Sequence, residues 1–245
     1  MHPVLIRIGE FEITSFGALI GIAAVVGTWL FEREARRSGL PETAGYAAMA
    51  GVLGGLVGAK VLWTIEFAHT APIASLLFSR GGLSWFGGLL GGVGTGLAVL
   101  RYQRIALVGA LAAATPALAL GHAIGRIGCF LVGDDYGKPT DLPWGVAFPE
   151  GLPPTDVPVH PTQLYEAALL VPLALLLLRW RRRGVRDAIV LGRYFVAAGG
   201  VRFAIEFIRI NERLFGAFTL AQLIATLLML TGAAILWRAS RSHTD

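Results

Sequence analysis

The chain has 245 residues, of which 55% are hydrophobic and 15% charged, and it carries a formal net charge of +5. Soluble domains hold about 25% charged residues, so a mean hydropathy of +0.64 excludes an ordinary soluble domain and points to a bilayer. The single cysteine, Cys129, excludes an internal disulfide framework and a cysteine-based metal cluster.

The start, MHPVLIRIGEFEIT, has acids where a secretory signal would run apolar, so the first span is expected to be an ordinary one. A helix crossing the hydrocarbon layer needs about 20 mostly apolar residues. Seven windows qualify, near residues 14–31, 44–67, 82–100, 105–124, 163–180, 188–207 and 218–238. The expected fold is an all-α integral membrane protein with seven transmembrane helices, forming a single domain over residues 1–245. In the second and third windows, GVLGGLVGAK and GGLSWFGGLLGGVGTG place small residues at four-residue spacing, which lets helices pack backbone to backbone. A second reading is that Gly81, Gly82, Gly87 and Gly88 flank a polar break and leave room for a lipid tail.

Lys and Arg are retained in cytoplasmic loops. Arg33, Arg36, Arg37, Arg101, Arg104, Arg179, Arg181, Arg182, Arg183 and Arg186 follow the first, third and fifth windows, and Arg238 and Arg241 lie in the tail. The N-terminus is therefore expected outside and the C-terminus in the cytoplasm. The run RWRRRGVR then reads as attachment to anionic lipid head groups, and no nucleic-acid partner is expected. The same topology puts a long loop, about 125–162, on the outer face. Its stretch GDDYGKPTDLPWGVAFPEGLPPTDVPVHP is too rich in Pro and Gly for a helix and must turn. Tyr136, Trp144 and Phe148 in it are residue types of the membrane interface.

Polar groups fall within or at the rim of the windows: Lys60, Glu66, His122, Arg126, Gln163, Tyr165, Glu166, Arg193, Arg202 and Glu206. An unpaired charge at the membrane centre costs about 2.5–3.5 kcal/mol on insertion scales, so each needs a partner or a wet cavity. Arg202 and Glu206 are four residues apart and share a helix face, either as a structural ion pair or as part of a site. Were Arg126 and Arg202 to converge at the outer leaflet, their planar forks would suit a phosphate. His122 lies four residues before Arg126, on the same face; it is either a base or a histidine bonded between helices. His160 and Pro161 open a helix, with Thr162 a local cap in the simplest account. No metal site is expected, because the ligand-type residues lack a metal-site spacing, and no cofactor is needed.

GRIGCFLVGDDYG resembles the signature of the prolipoprotein diacylglyceryl transferases, approximately G-R-x-G-N-F-x-N-x-E-x-x-G. HPTQLYEA at 160–167 and RFAIEFIR at 202–209 resemble two further family segments, and SFGALIG and GGLSWFGGLLG align with others in order. The resemblance implies a seven-helix enzyme of the bacterial inner membrane. It would move the diacylglyceryl group of phosphatidylglycerol onto the lipobox cysteine thiol of a prolipoprotein signal peptide, releasing glycerol phosphate.

Carried over residue by residue, the resemblance gives Arg126 and Arg202 the phosphate and Glu206 the orientation of the second arginine. Asp134 stands where the family has glutamate, as base or acceptor for the glycerol head group, and Gly137 is the closing glycine. His160 and Gln163 would lie at the mouth of the site, supported by Tyr165 and Glu166, with Gly87 beside the lipid. Cys129 replaces the motif's first asparagine and Val132 its second; Phe86 replaces a histidine and Phe16 a tyrosine.

Three readings remain open. In the first, the transferase works with a rearranged site in which His122, His160 or Asp135 accepts the proton. In the second, the same fold and phospholipid site serve another acceptor, or Cys129 acts as a covalent relay; its simpler role is a small buried residue. In the third, the protein binds or transports lipid without chemistry, although no inverted repeat supports transport.

Overall fold

The computed structural model describes residues 4–9, 11–79, 82–211, 213, 216 and 218–241. Seven long helices occupy the seven apolar windows: α1 (Ser15–Arg37), α2 (Gly45–Glu66), α4 (Trp85–Tyr102), α5 (Leu107–Val132), α6 (Thr162–Arg182), α7 (Asp187–Glu206) and α8 (Leu220–Arg241), with a short α3 (Ile73–Leu77) between α2 and α4. Among the described residues, six of these are long and apolar enough to cross a membrane; α4, the shortest at 18 residues, is not one of the six. Val25, Leu90, Leu175 and Leu227 are exposed on the helices, as a lipid-facing surface requires. Two small ribbons depart from the all-helical expectation: β1 (Val4–Ile8) pairs antiparallel with β2 (Phe11–Thr14), and β3 (Val146–Phe148) with β4 (Thr155–Val159).

The chain forms two compact units, one comprising residues up to Gly27 and from Ala114 onward, the other Thr28–Ala113. In the second, α4 runs antiparallel along α2 at backbone contact. A methyl at Gly87 would overlap the Gly58 carbonyl, one at Gly91 the Gly54 carbonyl, and one at Gly92 would come within 3.0 Å of the Gly51 carbonyl. Thr95 Oγ1 donates to the Ala50 carbonyl at 2.8 Å along the same seam. The glycine pattern is thus a packing device, and α4 retraces the path of α2. Both charged residues of α2 have local partners: Lys60 Nζ donates to the Ser79 carbonyl and hydroxyl at 2.9 and 2.8 Å, and Glu66 accepts from the Ser84 hydroxyl at 3.0 Å.

In the first unit, Leu170, Leu173 and Leu177 of α6 pack with Val190 of α7 in one core. α8 returns along α7, where small residues again allow close approach: a methyl at Gly232 would stand 2.7 Å from the Gly192 carbonyl. α5 continues to Val132, past the expected start of the outer loop, so GRIGCFLV is helical. The helix stops where Gly133 takes φ +74, and the amides of Gly133 and Asp134 close on the Cys129 carbonyl at 2.9 and 3.1 Å. This is a glycine C-cap, which hides in the sequence because apolar residues surround it.

The loop that follows has its own core. Tyr136 and Phe148 are buried, their rings stacked at 5.4 Å and 9°, and the Tyr136 hydroxyl donates to the Pro153 carbonyl at 2.6 Å. Of the three aromatics expected at the interface, only Trp144 is exposed. Thr162 does not cap α6; its hydroxyl donates to the Asp135 carbonyl at 2.9 Å and ties the loop to the helix.

Overpacking a close helix contact costs about 1–3 kcal/mol or more. Gly87→Val should therefore lower the melting temperature of the detergent-solubilised protein by several degrees. Gly94→Ala, with nothing within 4 Å of its added carbon, should leave it unchanged.

Candidate functional site

The site forms within the first unit, where α5, α6 and α7 bring their charged residues together next to the turn after α5. Glu166 of α6 is 1% exposed. Its Oε2 lies 2.9 Å from Arg126 Nε and 4.0 Å from Arg202 Nη1, and its Oε1 lies 3.3 Å from His122 Nε2. One carboxylate thus reaches three polar residues on two neighbouring helices, His122 and Arg126 of α5 and Arg202 of α7. Burying a charge is tolerable only with such pairing.

Glu206 is the second buried carboxylate. Its Oε2 pairs with Arg202 Nη2 at 2.8 Å, four residues back on the same face as expected, and stands 3.7 Å from Arg209 Nε. Its Oε1 accepts from Asn211 Nδ2 at 2.6 Å and from the Thr219 hydroxyl at 2.9 Å. Asp135 is the third carboxylate: one oxygen takes Arg126 Nη1 at 2.8 Å, the other Arg209 Nη2 at 2.5 Å. It adopts φ +61, a left-handed conformation that Asp tolerates better than most residues. Three arginines and three carboxylates therefore interlock, with His122 at the open edge, its side chain 47% exposed.

Asp134 and Asp135, adjacent in sequence, sit in opposite environments. Burial pushes the Asp134 carboxyl above the usual range, partly offset by its hydrogen bond with the Cys129 side chain. Burial would push Asp135 the same way, but Arg209 and Arg126 outweigh it and hold its carboxyl below that range. Cys129 is half-buried. Its sulfur and one oxygen each of Asp134 and Asp135 lie within 4.8 Å of one another.

The remaining sequence candidates divide. Gln163 is fully buried and its Nε2 donates to the Asp134 carbonyl at 2.5 Å. The Gly137 amide donates to the His160 carbonyl at 2.9 Å, and a methyl there would come within 2.6 Å of the Ile208 carbonyl, so only glycine fits between the two segments. Tyr165 accepts from Trp144 Nε1 at 2.7 Å and stands 3.4 Å from His160 Nδ1. Phe16 packs on α5, its ring within 3.2 Å of where a carbon on Gly128 would lie. Phe86 and Gly87 belong to the second unit, Phe86 edge-on to Trp85 and Gly87 in the seam with α2.

Sequence reasoning gave Arg209 no role, although Arg202, Glu206 and Arg209 recur at i, i+4 and i+7 on one helical face. Asn211, Thr219 and Gln222 carried no signal. Next to these residues opens a cavity of about 270 Å³, walled by Glu206, Asn211, Thr219 and Gln222, by the cations Lys138, Arg209 and Arg213, and by the apolar Phe207 and Ile210.

The sequence model described as prolipoprotein diacylglyceryl transferase matches residues 3–238. The chain belongs to this family. It is 33% identical to the phosphatidylglycerol-prolipoprotein diacylglyceryl transferase of Geobacter sulfurreducens over 253 residues, covering 98% of this chain and 96% of that protein. It is 33% identical to the protein of the same name from Methylococcus capsulatus, with 96% and 94% coverage, and 30% identical to that from Clostridium tetani, with 87% of each chain. Family and helices together make this a multi-pass membrane protein.

Removing one partner of a buried ion pair costs about 3–5 kcal/mol. Glu166→Ala should therefore destabilise the solubilised protein by a margin clear in thermal unfolding, with Glu166→Gln affected less. Because Asp135 is held below its ordinary pKa of about 3.9, its stabilisation is present above that pH and is lost as the pH falls through the lower folded value. The melting-temperature gap between the unmodified protein and Asp135→Asn should be full at pH 7 and should close in acid.

Proposed function

We propose that the chain, working as one transferase domain, transfers the diacylglyceryl group of phosphatidylglycerol to the lipobox cysteine thiol of a prolipoprotein signal peptide. Its setting is the bacterial cytoplasmic (inner) membrane, with the N-terminus and the site on the outer side. The observation that carries this reading is the convergence of Arg126, Arg202 and Arg209 on the buried carboxylates Glu166 and Glu206 and on the more exposed Asp135. A guanidinium whose own position is locked by a carboxylate binds a phosphate without first having to be ordered.

In this mechanism the peptide thiolate, the reactive form, attacks the glycerol carbon that carries the phosphate ester. A carbon–sulfur bond forms, the carbon–oxygen bond breaks, and glycerol phosphate leaves with the bonding pair. Arg126 and Arg202 hold the phosphate and take up the charge that develops on the departing oxygen. Among the described residues Arg202 Nη1 is buried and makes no hydrogen bond, so it has a donor to give. Glu206 orients Arg202.

The thiol proton passes to His122, the half-exposed imidazole beside Glu166. Glu166 holds the ring through Nε2 at 3.3 Å, which orients the imidazole and leaves its other nitrogen to take the proton. His122 thereby takes over the proton transfer that the resemblance gives to the family histidine for which Phe86 stands. Cys129, hydrogen-bonded to Asp134, steadies that carboxyl in place of the motif's asparagine. Gly137, His160, Gln163 and Tyr165 shape the mouth of the site through the loop they tie down.

Incubation with phosphatidylglycerol should add a diacylglyceryl mass to a lipobox peptide in intact-mass spectra. Arg126→Ala, Arg202→Ala and His122→Ala should each reduce transfer by at least about 100-fold, the lower range for losing a general base or a charge-stabilising donor. Cys129→Ala should still modify the peptide. Full activity in either arginine variant, or a mass gain on the protein that disappears with Cys129→Ala, would overturn this mechanism.

A further inference from the structure

The steps above leave the other end of the first unit unused. Glu166 stands near the start of α6, and Arg202 and Glu206 near the end of α7. Arg179 lies 13 residues beyond Glu166, about 20 Å along the helix at 1.5 Å per residue. At that far end, residues 179–193 and 238–241 hold eight arginines against one aspartate, a larger positive surplus than the +5 of the whole chain.

Tertiary contacts draw these arginines together from three helices. Arg186, at the start of α7, donates from Nη1 to the Ala239 carbonyl of α8 at 3.0 Å, and Arg193 of α7 lies 4.6 Å over the ring of Trp180 of α6. On α8 itself Arg241 lies 4.0 Å over Trp237. The one aspartate, Asp187, is already paired with Arg181 at 3.1 Å. Among the described residues, Arg179, Arg182, Arg183 and Arg238 are exposed and meet no carboxylate. Retention of basic residues on the cytoplasmic side explains their number. It requires neither the stacking of two of them on tryptophans nor the bond that holds Arg186 to α8.

We infer that this end of α6, α7 and α8 is a binding site for the phosphate of an anionic phospholipid in the cytoplasmic leaflet, separate from the donor site on the outer side. The choice of leaflet rests on the orientation proposed above; the chemistry does not. A guanidinium presents a planar fork that matches a phosphate, and stacking on a ring fixes its plane in advance. Lipid-facing leucines lead up to the arginines: the exposed Leu175 and Arg179 are four residues apart on α6, and the exposed Leu230 and Trp237 seven apart on α8, so each pair shares a helix face. A phosphate held here would have its acyl chains along those leucines, with the tryptophans at head-group depth, a surface for which a nucleic acid has no use. Basic sites between helices at the cytoplasmic surface suit anionic head groups. The bound phosphate relieves repulsion among the guanidiniums and ties together the ends of α6 and α7, the helices that carry Glu166, Arg202 and Glu206.

Native mass spectrometry of the full chain in detergent, offered equal phosphatidylserine and phosphatidylcholine, tests this without turnover, so its outcome is separate from that of the transferase reading. The unmodified protein should retain phosphatidylserine in preference. Each basic residue near a lipid surface contributes about fivefold in affinity. The variant Arg179→Gln, Arg182→Gln, Arg183→Gln, altered only at exposed positions, should therefore lose at least about tenfold in phosphatidylserine retention. Removing the same charge from the second unit by Arg36→Gln, Arg101→Gln and Arg104→Gln, also exposed, should leave retention unchanged. Equal retention of the two lipids by the unmodified protein would overturn the site, and so would equal losses in the two triple variants, which would reduce it to net charge. Displacement of phosphatidylserine by an equal concentration of inorganic phosphate or of a single-stranded oligonucleotide would overturn the lipid assignment in favour of that ligand.

Discussion

Everything around the site depends on how three guanidiniums, those of Arg126 and Arg209 buried and that of Arg202 partly so, are held together at the end of a helix bundle. Arg126, Arg202 and Arg209 come from α5, α7 and the turn after α7, and their mutual repulsion would drive these elements apart. Glu166, Glu206 and Asp135 each bridge two of the three. The arrangement is close to neutral in charge and links every element of the site to every other. A buried pair adds little net stability over an apolar contact, but leaving one member alone is expensive. The network thus acts chiefly to impose one arrangement on the helices.

The backbone of the outer loop completes that imposition. Residues 133–138 run from the end of α5 across the start of α6 to the turn after α7, with the Lys138 amide donating to the Ile208 carbonyl at 2.8 Å and the Leu152 amide to the Gly133 carbonyl at 2.9 Å. Gln163 and Thr162 hold the carbonyls of Asp134 and Asp135. The carboxylate of Asp135 reaches two arginines because its peptide is fixed on both sides. The aromatic stack of Tyr136 on Phe148 gives the loop a core of its own, so a segment that looks like a polar connector is a rigid part of the site.

The replacement of family residues is consistent with this economy. With Phe at position 86 and Cys at position 129, the motif has lost an imidazole and an amide, yet the arginines and the carboxylates that position them remain. His122 stands against the central carboxylate, Glu166, so an imidazole with a charged partner is still present beside the network. Electrostatic positioning of a phosphate depends on the network as a whole, whereas a proton acceptor can be supplied from more than one direction.

The helices were legible in the sequence because lipid imposes a simple rule: about 20 apolar residues with internal hydrogen bonds. The glycine seams of α2 and α4, the Arg202–Glu206 pair and the relation of His122 to Arg126 followed from spacing along one helix, where geometry is local. The extension of α5 to Val132 did not, because the capping glycine was one of several. Nor did the reach of Glu166 to two other helices, the position of Arg209, or the choice of Asp135 over its neighbour Asp134 as the bridge. Those are set by which side chains meet when separate elements pack and by the left-handed backbone of one residue. By itself the sequence determined that the chain spans a membrane, which family it resembles and which local pairs share a face. Only the tertiary structure decided which carboxylate holds which arginine and where a cavity opens beside them, because contacts between distant segments have no periodicity to read.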